Sequence, residues 1–300
     1  MLLTGNWRVA PNFLNLNTHF PETELILNPD GSVYHLGLLP ENIANTIIAV
    51  GDPARVATVS RYFQKIVFKK QKREFITHTG IFSGKPVTVI STGMGTDNVE
   101  IFMHELDALV NIDLGSRKPR ARHRSLNIIR VGTSGSLQAD VDTDTLLASQ
   151  AALGLDTLMS FYQRGKHDFA ALETALQQHL GLPFQPYFAA CSPELLQRFG
   201  DGMAHGVTVT TPGFYAPQGR QLRYRVRFPR LLGQLGRFSL PSGRFTNFEM
   251  ETAAYYALGQ MLGHKTLSLN AILANRTTGQ FSADPAAPVD KLVRHVLNLL

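Results

Sequence analysis

Short apolar runs that end in glycine alternate along this chain with segments whose apolar residues recur at helical spacing. The run IIAVG at 47–51 is typical of a buried strand. Asp52 and Pro53 follow it as an N-cap and first-turn pair, and they predict a helix over 54–64. Strands that alternate with helices predict a layered α/β fold with a mostly parallel or mixed sheet, whose ligands collect beyond the strand ends.

The same alternation continues to the end of the chain. LNIIRV at 126–131 predicts another central strand, which closes into a glycine loop, GTSG. FITHTGIF and PVTVIST flank the turn SGK at 83–85 and predict a hairpin. Asp97 and Glu100 predict a capping box at the start of a helix. Further strands are predicted at TLLAS, GVTVT and KTLSLNAILAN, and further helices near 168–180, 193–199, 250–262 and 289–300.

The pattern predicts one domain preceded by an arm. Residues 1–30 are rich in Asn and Pro and lack periodicity, which indicates an extended arm. Residues 31–300 contain no repeat, and the stretch 111–125 has the composition of a loop rather than of a linker. Because 44% of the 300 residues are hydrophobic, the chain can bury one large core.

Composition excludes several classes of protein. The single cysteine, Cys191, cannot form an internal disulfide or a cysteine zinc site, which favours a reducing cytoplasm. No apolar run is long enough to span a bilayer, and the N-terminal sequence is not typical of a secretion signal. The net charge of +6 and the basic runs 117–124 and 220–230 leave nucleic-acid binding as a minor alternative, since neither run has a binding-module signature.

Three arginines adjoin strand ends or glycine loops. Arg55 lies in GDPAR, Arg73 in REF and Arg130 in RVGTSG. A guanidinium pairs with phosphate oxygens through two parallel hydrogen bonds, and glycines such as Gly51 and Gly132 let backbone N–H groups approach an anion. Each arginine alone is more typical of a surface residue or an ion pair, but together they suggest an anion pocket.

Two further segments carry polar groups suited to a sugar and a base. NFEMET at 247–252 is either the acidic first turn of a helix, or a carboxylate that holds sugar hydroxyls while Met250 packs on the sugar. GFYAPQGR at 213–220 is either plain turn sequence, or an aromatic with an amide and a guanidinium. In the second interpretation, Gln218 and Arg220 match the carbonyls and N–H of uracil.

The sequence lacks the signatures of several other chemistries. It contains no P-loop, no complete dinucleotide-binding glycine motif, no HExxH and no G-x-S-x-G. We therefore expect no metal and no redox cofactor. His35 and His104 are weaker candidates for polar contacts, because a lone histidine is more often structural.

Eight motifs resemble one family in order and spacing. They are YHLGL (34–38), GDPARV (51–56), REF (73–75), STGMG (91–95), RVGTSG (130–135), GFYAPQGR (213–220), NFEMET (247–252) and NRT (275–277). The chain resembles the uridine phosphorylases of the nucleoside phosphorylase-I superfamily. The resemblance implies a three-layer α/β/α sandwich around a distorted mixed sheet. It also implies a homodimer with shared active sites, often assembled into a hexamer.

The resemblance also implies roles for individual residues. The matching phosphate-binding positions are Gly51, Arg55, Arg73, Arg130 and Thr133. The matching nucleoside-binding positions are His35, Thr133, Phe214, Gln218, Arg220, Glu249, Met250, Glu251 and Arg276. Arg73 and His35 would reach the site of the neighbouring subunit. Arg130, Glu251, Gln218 and Arg220 would carry the catalysis.

The implied reaction is phosphorolysis of a pyrimidine ribonucleoside, with inorganic phosphate as co-substrate and no cofactor. Purine-specific relatives carry an aspartate near the position of Arg276, whereas ANRT here favours pyrimidines. The loop Gly93–Asn98 departs from the family's usual sequence, and Asn98 matches a residue of a monovalent-cation site in some members. The alternatives are a purine nucleoside phosphorylase, a hydrolytic nucleosidase and, ranked lowest, an inactive nucleotide- or RNA-binding relative.

Overall fold

A computed structural model describes residues 15–164 and 167–300. In these ranges the strands are β1 (Thr46–Val50), β2 (Lys65–Lys72), β3 (Phe75–Phe82), β4 (Lys85–Ser91), β5 (Ile112–Asp113), β6 (Lys118–Pro119), β7 (Asn127–Ser136), β8 (Leu146–Gly154), β9 (Tyr187–Ala190), β10 (Ala204–Thr210), β11 (Phe245–Glu249) and β12 (Lys265–Asn275). The helices are α1 (Pro53–Ser60), α2 (Thr96–Asn111), α3 (Ala170–Leu180), α4 (Pro193–Phe199), α5 (Leu231–Arg237), α6 (Thr252–Leu262) and α7 (Ala286–Asn298).

A large mixed sheet forms the centre of the molecule. Its strand order is β11-β10-β8-β12-β7-β1-β4-β3-β2, and β9 pairs with β8. The sheet is strongly distorted, because β11 also pairs with β7 and so closes β7, β12, β8, β10 and β11 into a five-stranded ring. Two groups of helices pack on the sheet: α1 contacts β3, β4 and α7, and α6 contacts β8, β12 and α2. This confirms the expected α/β fold around a distorted mixed sheet.

The apolar runs form the buried centre of this sheet. Ile47, Ile48, Ala49 and Val50 of β1 are all at most 1% exposed, as expected of a strand that is covered on both faces. Helix α7 buries Val289, Leu292, Val293 and Val296 at the predicted helical spacing. The same apolar burial that stabilises the fold therefore fixes the strand ends where the polar motifs lie.

Several local predictions were wrong. GTSG is not a loop, because β7 continues to Ser136 and pairs with β12 along this stretch. The predicted capping box is absent: α2 begins after Gly95, without a side-chain cap. Helix α1 ends at Ser60 rather than at 64. The stretch 111–125 holds the small β5–β6 hairpin rather than loop alone.

The N-terminal arm is only partly described. Residues 1–14 lie outside the described ranges. Within residues 15–30, Phe20 N–H donates to the carbonyl of Arg117, and Leu27 forms an isolated bridge with Val33. The division into an arm at 1–30 and one domain at 31–300 stays a prediction. In the described part of the chain, no helix combines the length and apolar character needed to cross a membrane.

Candidate active site

Three of the predicted anion-binding residues, Gly51, Arg55 and Arg130, lie near one another where β1 and β7 run side by side. Ala49 of β1 pairs with Arg130 of β7, and Ser268 of β12 pairs with Arg130 on its other side. Gly51 follows β1, and Arg55 lies in the first turn of α1, where Asp52 caps the helix as predicted. Arg55 Nη1 donates to the Val131 carbonyl at 3.1 Å. Two arginines 75 positions apart in sequence therefore lie together beside two central strands of the sheet.

Arg130 is held by carboxylates from the far end of the chain. It is only 5% exposed, and its Nη2 lies 2.5 Å from Glu251 Oε2 and 3.1 Å from Glu249 Oε2. Burial alone would lower the pKa of this guanidinium, but Glu249 and Glu251 outweigh burial and raise that pKa. Arg130 is therefore a permanent buried cation.

Glu251 joins the arginine to the start of α2. Its Oε1 accepts a hydrogen bond from Gly95 N–H at 2.8 Å, while its Oε2 faces Arg130. The N-terminus of a helix favours negative charge, because its first N–H groups point out of the helix. Glu251 is therefore fixed at both oxygens and lies between an arginine and a helix N-terminus.

Glu249 is a buried neighbour with a different set of partners. It accepts from Thr210 Oγ1 at 2.5 Å and from the backbone N–H groups of Glu251 and Thr252, each at 2.9 Å. Burial raises the pKa of its carboxyl, Arg130 opposes this rise, and Glu251 adds to it. The interpretation of NFEMET as the acidic first turn of a helix was wrong, because Glu249 ends β11, Glu251 is the N-cap residue and α6 begins only at Thr252.

A second cluster gathers the residues predicted to read the base. Gln218 is buried, and its Oε1 accepts from Arg220 Nη1 at 2.5 Å. The guanidinium of Arg220 lies 3.7 Å from the centre of the Phe214 ring, which is half exposed. Arg276 Nη1 donates to the Gln218 carbonyl at 3.2 Å. Burial and the nearby charge of Arg276 lower the pKa of Arg220 to about 10, so it stays protonated at neutral pH.

Two predicted residues, His35 and Arg73, have their contacts outside both clusters. His35 Nδ1 is 2.7 Å from Glu105 Oε1, and the guanidinium of Arg73 lies 6.0 Å from the ring of Tyr34. Within residues 15–164 and 167–300, no hydrogen bond or ion pair joins His35 or Arg73 to Arg130 or Glu251. The expectation that they complete a neighbouring subunit's site stays a prediction.

The remaining predicted residues are Thr133, Met250 and His104. Thr133 is half-buried on β7 beside Ala271 of β12, and Met250 is half-buried between the two glutamates. His104, a residue of α2, has its Nε2 2.9 Å from Tyr162 Oη. The roles assigned to Thr133 and Met250 stay predictions.

One group in the described residues has the composition of a metal site. Ligand atoms of Asp107, His123 and His264 lie within 4.8 Å of one another. However, His264 Nδ1 accepts the N–H of Leu126 at 3.2 Å, which places the ring proton on Nε2, 3.3 Å from Asp107 Oδ1. With its Nδ1 lone pair taken by the Leu126 N–H and a proton on Nε2, His264 has no free lone pair to offer a metal.

The family of the chain follows from comparison with known proteins. The sequence model described as "Phosphorylase superfamily" matches residues 45–297. The chain belongs to the phosphorylase superfamily. This confirms the family that the eight motifs indicated.

Proteins similar to this phosphorylase superfamily member include both uridine phosphorylases and purine nucleoside phosphorylases. A uridine phosphorylase from Thermococcus kodakarensis is 30% identical, over 87% of this chain and 82% of the relative. A DeoD-type purine nucleoside phosphorylase from Listeria welshimeri is 27% identical, over 82% of this chain and 88% of the relative. The crystal structure of a Trypanosoma brucei nucleoside phosphorylase, described as showing uridine phosphorylase activity, superposes with a TM-score of 0.84 at 28% identity, covering 92% of this chain and 99% of that one.

Sequence reasoning missed the residues that hold the site of this phosphorylase superfamily member in place. Arg130 Nη1 donates to Asn270 Oδ1 at 3.0 Å and to Ser268 Oγ at 3.3 Å. Both partners lie in KTLSLNAILAN, which predicts only a strand. Their signal was the recurrence of polar residues at alternate positions of an otherwise apolar strand, which places them on one face.

Gly132 is the position where a small change tests the placement of Arg130. A Cβ atom at this residue would lie 2.0 Å from Arg130 Nη1, because the guanidinium folds over the glycine two residues along the strand. We expect Gly132→Ala to displace Arg130 and lower kcat/KM by about a hundredfold, the scale of one lost charge-stabilising group. Steady-state kinetics and thermal unfolding would measure this. Gly233→Ala, where a Cβ meets nothing within 4 Å, is the matched control, and equal activity in the two variants would contradict the prediction.

Proposed function

We propose that this protein cleaves pyrimidine ribonucleosides with inorganic phosphate, converting uridine to uracil and ribose 1-phosphate. One observation carries the proposal: the buried Arg130 guanidinium contacts the Glu251 carboxylate and lies beside Arg55. Two guanidinium groups that can bind phosphate thus lie next to a carboxylate that can accept hydrogen bonds from sugar hydroxyls. The uridine phosphorylase names of the T. kodakarensis and T. brucei relatives support the choice of reaction.

Phosphate would bind between Arg55 and Arg130. Backbone N–H groups after Gly51 and the hydroxyl of Thr133 would add donors to its remaining oxygens. The charges of the two arginines are cancelled within one chain by Glu249 and Glu251 when both are ionised. Arg73 from a neighbouring subunit would make the site net positive, and so would protonation of Glu249, whose pKa burial raises. We propose that the protein is a homodimer with shared sites, an arrangement that larger assemblies such as a hexamer would preserve.

The chemical step needs no side-chain nucleophile. A phosphate oxygen attacks C1′ of the ribose, the C1′–N1 bond breaks, and its electron pair passes to the uracil. The sugar develops oxocarbenium character, as in glycoside cleavage. Glu251 would hold the ribose hydroxyls and favour the growing positive charge, while the arginines hold phosphate in line for attack. Inorganic phosphate is thus a co-substrate, and we propose that no cofactor takes part.

The base would be read by Gln218, Arg220 and Arg276. In the described residues, no carboxylate hydrogen-bonds to these three side chains. The cluster therefore presents an amide and two cations, which suit the carbonyl oxygens and the developing negative charge of uracil. The ring of Phe214, against which Arg220 already packs, would border the base. We further propose that the protein acts in pyrimidine salvage in the cytoplasm.

Incubating the enzyme with uridine, with and without phosphate, tests the proposal. We expect a change in ultraviolet absorbance from uracil release only when phosphate is present. Equal cleavage without phosphate would indicate a hydrolytic nucleosidase, and preference for inosine would indicate a purine nucleoside phosphorylase. Absence of turnover on every nucleoside, together with salt-sensitive RNA binding, would favour the inactive binding protein.

Gln218 offers a direct test of base recognition. Gln218→Ala removes the amide that meets Arg220 and Thr211. We expect kcat/KM for uridine to fall by about a hundredfold, because the buried site loses the amide that would hydrogen-bond to the uracil base. Folding should change less, as judged by thermal unfolding. Gln221→Ala, at an exposed glutamine three residues away, is the control, and an unchanged rate on uridine in Gln218→Ala would remove this residue from the base site.

A further inference from the structure

The five-stranded ring has a polar interior. Its strands contribute side chains that are fully buried yet hydrogen-bonded to one another: Ser149, Thr208, Asn247, Ser268 and Asn270. Thr208 Oγ1 donates to Asn247 Oδ1 at 3.0 Å, and Asn270 Nδ2 donates to Ser149 Oγ at 3.2 Å. A buried polar network of this kind is stable only when its members satisfy one another, and it then specifies one arrangement.

Arg130 is where this network meets the phosphate site. The four N–H bonds on its two terminal nitrogens are divided between two kinds of partner. Nη2 faces Glu249 and Glu251, whereas Nη1 faces the neutral oxygens of Asn270 and Ser268. A phosphate oxygen that binds a terminal N–H group of Arg130 must displace one of these partners. The neutral pair is the weaker one, because hydrogen bonds to ionised acceptors are about twice as strong.

We propose that Asn270 is a positioning residue that orients Arg130 for phosphate through a neutral acceptor that phosphate can displace. The inference rests on the proposed function, since it assumes that phosphate binds at Arg130. Asn270 Nδ2 also donates to Ser268 Oγ at 3.3 Å, as well as to Ser149. The opposite amide orientation would place its NH2 group against the N–H groups of Arg130, so Oδ1 must face the arginine.

The neutrality of Asn270 is essential to this role. Two carboxylates already face Arg130. A third carboxylate, at position 270, would bind the guanidinium too strongly for phosphate to displace it. It would also repel the phosphate dianion at short range in a poorly solvated site. An apolar residue at 270 has the opposite defect, because it leaves Nη1 without its best acceptor and frees the arginine to turn.

Asn270→Ala and Asn270→Asp separate these two effects. We expect Asn270→Ala to raise the KM for phosphate about tenfold, the effect of one lost hydrogen bond to a charged group. We expect Asn270→Asp to raise it on the order of a hundredfold at pH 8, with partial recovery at pH 6 as the introduced carboxyl is protonated. The KM for uridine should change less than threefold in both variants.

Asn247→Asp is the charge-matched control. Asn247 is equally buried in the same network and bonds to Ser134 and Thr208, but not to Arg130. We expect Asn247→Asp to lower the unfolding temperature as Asn270→Asp does. The ratio of the KM for phosphate to the KM for uridine should stay at the wild-type value. Isothermal titration of each folded variant with inorganic phosphate measures binding independently of turnover.

Three outcomes decide the matter. A selective rise of the phosphate KM and Kd in the order Asn270→Asp, Asn270→Ala, wild type supports the inference. The inference is overturned, and the proposed function is left standing, if folded Asn270→Asp binds phosphate as wild type does. The same holds if the KM values for both substrates change equally in the Asn270 and Asn247 variants. If wild-type protein neither binds phosphate nor cleaves uridine, the proposed function fails and the inference fails with it.

Discussion

Replacing Arg130 with alanine should lower kcat/KM for phosphate-dependent uridine cleavage by about a thousandfold. Arg130 is the buried cation that contacts both glutamates and faces the proposed phosphate position. Its loss removes the main attraction for the dianion and also the anchor that fixes Glu251. Arg130→Lys keeps the charge but not two parallel hydrogen bonds, so we expect an intermediate loss.

The same substitution should also destabilise the fold. Removing Arg130 leaves Glu249 and Glu251 buried without their cation, which costs about 3–5 kcal/mol of unfolding free energy. The pKa of Glu249, already raised by burial, would rise further, because Arg130 is the largest of the influences that lower it. A carboxyl with a raised pKa in the folded state favours folding more as the pH falls. The destabilisation of Arg130→Ala should therefore be smaller at pH 5 than at pH 8.

Kinetics must be measured on protein shown to be folded by circular dichroism at the assay temperature. Arg223→Ala is the matched control, because this arginine is exposed and makes no ion pair in the described part of the chain. It should keep wild-type activity. Near-normal phosphorolysis by a folded Arg130→Ala protein would remove Arg130 from the phosphate site.

Replacing Glu251 with glutamine should lower kcat/KM for uridine by a few hundredfold, on the order of one removed transition-state charge. The amide keeps the size of the side chain and an oxygen for Gly95 N–H, but it loses the negative charge that faces Arg130. The amide also accepts hydrogen bonds from sugar hydroxyls less strongly than a carboxylate does. The loss should be smaller for 2′,3′-dideoxyuridine, which lacks the hydroxyls that Glu251 would hold.

Comparing the two substrates separates a sugar-binding role from a structural one. A purely structural defect would lower turnover of uridine and the dideoxynucleoside by the same factor, and that result would contradict the assignment. Glu194→Gln, at an exposed glutamate paired with Lys265, is the control and should leave both rates unchanged.

The parts of this protein that the sequence determined are those that depend on near neighbours. Burial of β1 follows from a continuous apolar run, and the Asp52 cap of α1 follows from the local competition for the first N–H groups of a helix. Helix α4 begins at Pro193 and ends at Phe199, as its local pattern predicts. The order of the eight motifs was also sufficient to indicate the family, because each is a short segment with its own spacing.

Tertiary structure decided what depends on strand pairing and on partners distant in sequence. GTSG is extended because β12 pairs with it, which outweighs the preference of its glycine and serine residues for turns. Arg130 meets Glu251 across 121 positions and Asn270 across 140. Such contacts are set by strand register and by closure of the β7–β11 ring, which no local pattern encodes. The sequence therefore supplied the charged groups of the site, and the folded sheet selected the neutral residues that hold them in place.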